Sequence, residues 1–234
     1  ITGDVITLTG ATGVGDVADL DLFGTSYVIS GGTGGVGIRD NTGATVTLTF
    51  TANGNIAYTT AGDILVADVV SNAGSVTLTT TAGRIDEAVA ADGTADIMAA
   101  TFIDLNAVTG IGGVSAIEFT APTISADTTN GNVALNSLAL ASVSATTLTT
   151  GTGTVTFAQT GGQALTTVTV TTGTGSVTVT NAGAQLNAGG LLVGQAVTAG
   201  GTGSDVTLIT TGGGDIDVRS VTAADDLFIT SAAR

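Results

Sequence analysis

Gly74-Ser75-Val76-Thr77-Leu78-Thr79 is the phrase from which the rest of the chain can be read. In Val76-Thr77-Leu78-Thr79 apolar and polar residues alternate. Successive side chains of a strand point to opposite faces, so Val76 and Leu78 share one face and Thr77 and Thr79 the other. That alternation marks a half-buried strand. The phrase returns as Val46-Thr47-Leu48-Thr49, Val155-Thr156-Phe157, Val177-Thr178-Val179-Thr180 and Val206-Thr207-Leu208. Looser copies are Ile56-Ala57-Tyr58, Ile64-Leu65-Val66, Val133-Ala134-Leu135 and Ile216-Asp217-Val218.

The spacing of these phrases predicts a solenoid. Anchored on the first inward residue, one series runs Val46, Ile64, Ile85, Leu105, Ile124, Val143. A second runs Ile56, Val76, Ile97, Ile117, Leu138, and a third Val155, Val177, Val197, Ile216. Steps are about 20 residues, and the first two series interleave, so each period holds at least two strands. Asn53-Gly54, Asn72-Ala73-Gly74, Ala82-Gly83, Asn130-Gly131 and Gly212-Gly213-Gly214 lie between phrases and are expected to supply positive-φ corners. No segment holds a 3.6-residue period; Ile97-Met98-Ala99-Ala100 comes closest. The expected fold is all-β: a right-handed parallel β-helix, its hand taken from the crossover rule. Residues 1–234 read as one β-helix segment, with roughly 11–12 coils stacked at ~4.8 Å into a rod on the order of 55 Å. An array of antiparallel sandwiches accounts for strands and turns but not for the regular spacing.

Composition narrows the function. The net charge is −15, there is no His, Cys or Trp, and the cations are Arg39, Arg84, Arg219 and Arg234. Nucleic acid and anionic membrane surfaces are disfavoured partners, because nothing basic meets their phosphates. No apolar run is long enough for membrane insertion as a helix. Disulfides and Cys-ligated metals are excluded, and the commonest general base is missing. Ile1-Thr2-Gly3-Asp4 already reads as part of a repeat. The chain is therefore expected to be a processed product or an internal segment of something longer.

Four motifs invite a sharper function. Gly32-Thr33-Gly34-Gly35-Val36-Gly37 fits a dinucleotide fingerprint, but that site needs a helix next, and Ile38-Arg39-Asp40-Asn41-Thr42-Gly43 reads as a turn. Gly200-Gly201-Thr202-Gly203-Ser204-Asp205 opens like a calcium-binding nonapeptide, without the tandem copies such sites need. Asp16, Asp19 and Asp21 form a second acidic cluster, so calcium is a possible ligand and a solvated acidic corner the expected one. Asp215-Ile216-Asp217-Val218-Arg219 places both carboxylates outward, ~6.8 Å apart along the strand. That separation suits an inverting glycosidase, which makes polysaccharide cleavage by Asp215 and Asp217 the alternative to a non-enzymatic role; an Asp217–Arg219 surface pair is the plainer reading. Thr45-Val46-Thr47-Leu48-Thr49, Thr167-Val168-Thr169-Val170-Thr171 and similar phrases suggest ice binding. Ile64-Leu65-Val66-Ala67, Val133-Ala134-Leu135-Asn136 and Ile216-Asp217-Val218-Arg219 interrupt them.

The phrases Gly74-Ser75-Val76-Thr77-Leu78-Thr79, Ala107-Val108-Thr109-Gly110-Ile111-Gly112 and Thr129-Asn130-Gly131-Asn132-Val133-Ala134-Leu135 resemble the repeats of large filamentous-haemagglutinin-like exoproteins. The resemblance implies a secreted, rod-shaped β-helix acting in adhesion, biofilm or filament formation at the bacterial surface. The expected role is then a non-enzymatic structural or adhesive fibre, in contact with glycans, cells or sister chains. Uncapped end phrases, Val5-Ile6-Thr7-Leu8-Thr9 and Leu227-Phe228-Ile229-Thr230-Ser231, predict end-to-end self-association. The expected core is Val46, Leu48, Ile56, Tyr58, Val76, Leu78, Val133, Leu135, Val155, Phe157, Val177, Val179, Val206, Leu208, Ile216 and Val218. Thr47, Thr77, Thr156, Thr178, Thr207 and Asp217 are expected to point out.

Overall fold

The computed structural model describes every residue except Asp16, Val17, Ala91, Ala184, Ala233 and Arg234. The fold is all-β, a solenoid of about 11 turns with roughly 21 residues per turn. Among the described residues the strands form two twelve-stranded sheets, each built from parallel pairs. Consecutive strands belong to different sheets over most of the chain: Ile56–Thr60 lies in the second sheet, Ile64–Ser71 in the first, Val76–Thr80 in the second again. A parallel neighbour one full coil away is what makes the sequence period visible, because each inward position stacks on its own kind. Val133 pairs with Val155 and Val155 with Val177, in steps of 22 residues.

The three anchor series each change sheets partway. Ile64 pairs with Ile85 in the first sheet, but Leu105 pairs with Leu78 in the second. Val76 stacks on Ile103 rather than on Ile97, and Val177 on Val206 rather than on Val197. Two long coils cause this. Ile64–Ser71 bends at Ala67-Asp68; in the next coil those two residues are replaced by the nine between Glu87 and Ile97. Leu165–Thr172 bends at Val168-Thr169, which become the eight residues between Ala188 and Val197. In the coil after that the corner shrinks again to Arg219-Ser220.

One apolar cluster runs the length of the stack. Of the expected core, fourteen of the sixteen residues are fully buried. Ile216 is partly buried, and Val218 is 41% exposed. Val218 pairs with Ala188 on one side, and no described strand pairs with its own on the other, so its alternation is as expected but half its packing is missing. Thr156 and Asp217 are exposed, and Thr47, Thr77, Thr178 and Thr207 half-buried, as flat stacked strands require. Aromatics fill the wide parts of the core: Tyr58 packs on Tyr27 and Phe50, and Phe119 on Phe157, with centroids 5.8–6.0 Å apart. Tyr58 Oη donates to the buried Asp40 carboxylate at 3.2 Å. Burial, then the Asp40 charge, pushes both phenols well above their usual range.

Other threonines turn inward at strand ends and hold the corners. Thr80 Oγ1 donates to Gly62 O at 2.6 Å and accepts the N–H of Gly83 at 2.9 Å. Thr150, Thr172 and Thr210 donate likewise to turn carbonyls. Asn181 donates to Gln185 O and accepts Gly183 N–H. These residues satisfy corner backbone groups that the core would otherwise strand without partners.

Corner glycines serve mainly to let coils approach. A Cβ on Gly54 would lie 2.8 Å from Gly35 N, and one on Gly74 2.6 Å from Gly54 C. Neither has positive φ; Gly131, at φ +81°, does. The expectation that corners are positive-φ positions therefore holds only in part.

Candidate functional site

The glycine-rich segment Gly32–Gly37 runs from a corner into a strand, Val36–Asp40. The turn expected over 38–43 is thus strand up to Asp40. No helix offers an N-terminus to a pyrophosphate among the described residues.

At the far end, Asp215–Val218 continues the second sheet, with Asp215 opposite Gln185 and Asp217 opposite Asn187. Both carboxylates are exposed, as alternation predicts. Arg219 Nε donates to Asp217 Oδ2 at 2.9 Å, and its guanidinium also donates to Asn187 Oδ1 at 3.2 Å. Asp217 is thereby tied into an ion pair. A general base that activates water must offer an oxygen to it, and the arginine holds Oδ2, one of the two that Asp217 has.

Asp205, Asp225 and Asp226 can bring one carboxylate oxygen each within 4.8 Å of the others. Asp205 is the last residue of the nonapeptide-like phrase. The pairing of Val206 with Leu227 sets it beside Asp226, whose N–H it accepts at 3.1 Å. The 21-residue step makes that meeting readable from sequence, although it was not expected. Three oxygens of this kind could contact a hard cation such as calcium, which normally takes six to eight. In the other acidic cluster the two described members each have a partner. Asp16 lies outside the described residues, Asp19 pairs with Arg39 at 3.5 Å, and Asp21 accepts Asn41 Nδ2 at 3.1 Å.

A third acidic group is buried beneath the first long corner. Asp96 Oδ2 accepts Glu118 N–H at 2.9 Å, and Glu118 Oε2 accepts Gly93 N–H at 2.9 Å. Asn136 Nδ2 donates to Glu118 Oε1. Asp96 also hydrogen-bonds to the Glu87 carboxyl; burial first, then the charges of Glu87 and Glu118, push it up to about 7. Asp86 is fully buried in the strand Ile85–Glu87 that leads into that corner. It accepts the N–H groups of Gly113 and Val114 and faces Arg84 Nε at 2.9 Å.

Register places outward residues in columns along the rod. On the second sheet one column runs Thr59, Thr79, Asn106, Asp127, Thr149, Thr171, Thr198, Thr222. Beside it run Thr77, Asp104, Ser125, Thr147 and Thr169, of which Ser125 is buried. Thr149 Oγ1 donates to Asp127, and Asn106 Nδ2 to Asp104 at 3.1 Å. A hollow of about 300 Å³ opens at Asn106, Asp127 and Thr149. The first sheet is different outside: Val28 and Met98 are exposed there. The Ile64 and Val133 phrases that interrupted the threonine pattern belong to that first sheet. Threonine is nonetheless absent from the middle rungs of the second, so no uniform threonine lattice forms.

Two apolar features also lie on the surface. Leu191, Leu192 and Val193 stand out from the second long corner. A hollow of about 540 Å³ lies between the short turn at Ala121-Pro122 and the longer one at Leu138–Ala141. Among the described residues no helix is long and apolar enough to cross a membrane. No protein-family model, curated protein or solved structure matches the chain.

Proposed function

We propose that this chain is a structural and adhesive segment of an extracellular, cell-surface fibre that binds by surface contact and assembles end to end. The observation that carries the reading is the stack itself: two sheets of parallel strands enclose one apolar cluster that runs its length, each rung in register on the next. Rungs of this kind pair with further rungs through the same backbone groups, and a head-to-tail contact between rods does not close and gives a fibre. The acidic, lysine-free surface and the resemblance of the repeats to haemagglutinin-type exoproteins support the location.

Electron microscopy with sedimentation velocity tests the assembly. The protein is expected to form fibres, or rods that lengthen with concentration. Single short rods at every concentration would overturn the end-to-end contact.

A further inference from the structure

We propose that the outward column from Thr59 to Thr222 on the second sheet is a track for an extended, neutral polysaccharide lying along the rod axis. The inference rests on the adhesive reading and names the partner and the face. Three observations carry it. First, the column is unbroken over eight rungs, so polar groups recur every ~4.8 Å for about 34 Å. A ligand that uses all of them must itself be extended and repetitive. Second, the chemistry between those ends is hydroxyl, amide and carboxylate; the next rung beyond Thr59 is Arg39, whose charge is paired with Asp19. The carboxylates of Asp104 and Asp127 carry surplus acceptor capacity beyond the single donors they hold. They call for a donor-rich partner and repel a polyanion, which a hydroxyl-bearing neutral glycan satisfies. Third, the opposite sheet carries outward threonines, among them Thr156 and Thr178, but its columns are broken by apolar residues: Leu65, Val70, Met98 and Ile209 stand in them. Ordered ice would need one residue type on every rung, and Asn106 and Asp127 break that regularity. With no tryptophan to stack on a sugar ring, each rung contributes little, and affinity must accumulate over many rungs.

The test compares retention on microcrystalline cellulose and mobility in a galactomannan gel with retention on polygalacturonate. The wild type is expected to be retained by the neutral polymers, not by the polyanion, and to show no measurable binding to a hexasaccharide. Asp127→Ala with Thr149→Ala should weaken retention about tenfold, the equivalent of one or two hydrogen bonds. Thr156→Ala with Thr178→Ala, on the first sheet, should leave it unchanged. Circular dichroism confirms that each variant is folded. Folded wild type that neither neutral polymer retains, equal retention of the two double variants, or equal binding to polygalacturonate would each overturn the track. Fibres that persist under the microscope without polymer retention would remove the track and leave the adhesive fibre standing.

Discussion

The Asp96 carboxylate accepts the backbone N–H of Glu118 at 2.9 Å, one rung further along the rod, and the Glu118 carboxylate reaches back to Gly93 in the corner that precedes Asp96. The first long corner is thus pinned through two acids that repel when both are charged.

The pair makes stability depend on pH. Burial raises Asp96 to about 7 in the folded state, against ~3.9 in an unfolded chain. The folded state therefore holds a proton that the unfolded state has lost, and stability falls as pH rises from ~4 to ~7. Urea midpoints across that window should decline for the wild type. Asp96→Asn should decline less and be no less stable at neutral pH. Parallel curves for the two proteins would contradict the assignment.

Burial should decide what a truncation costs. Leu78→Ala removes a fully buried side chain stacked on both sides by Tyr58 and Leu105. It is expected to cost roughly 2–5 kcal/mol. Val28→Ala, at an outward position with rungs on both sides and 41% exposed, should cost well under half of that in the same denaturation experiment.

The inward corner threonines should matter more than the outward ones. Thr80→Val keeps the shape of the side chain but leaves Gly62 O and Gly83 N–H short of a partner, at about 1–3 kcal/mol. Thr77→Val, half-exposed on the same strand, should change stability by less than about 0.5 kcal/mol. Equal effects would mean that the corner hydrogen bonds contribute nothing.

Lateral bundling should respond to charge. With a net charge of −15, neighbouring rods repel, and low pH, high salt or calcium each reduce that repulsion. Light scattering should rise with all three. Scattering indifferent to every one of them would rule out electrostatic control.

Period and alternation made the coil and most of its core legible, because Val, Ile and Leu stack on their own kind in parallel rungs. Sheet membership was harder to read. A long corner adds residues without changing the look of the phrases on either side, so Ile85 and Leu105 seem to be steps of one series and belong to two sheets. The inward Thr80, Thr150 and Thr210 were also hidden, since an inward polar residue breaks the very alternation used to find strands. Asp217–Arg219 was readable because the two are neighbours in sequence, one in the strand Asp215–Val218 and the other in the corner that follows it. Asp205 with Asp226, and Asp96 with Glu118, meet only across rungs, so each needs the register of one coil on the next; for Asp96 the long corner before it hides that register.

The corner at Val168-Thr169 grows to eight residues in one coil and returns to two, Arg219-Ser220, in the next, while Thr167, Ala188 and Val218 stay aligned on one flank and Val170, Val197 and Val221 on the other. The scaffold therefore has a socket. Sequence can be grafted at that bend, lengthened, or exchanged for a different epitope without renegotiating the stack, so what the rod displays can diversify independently of what makes it a rod.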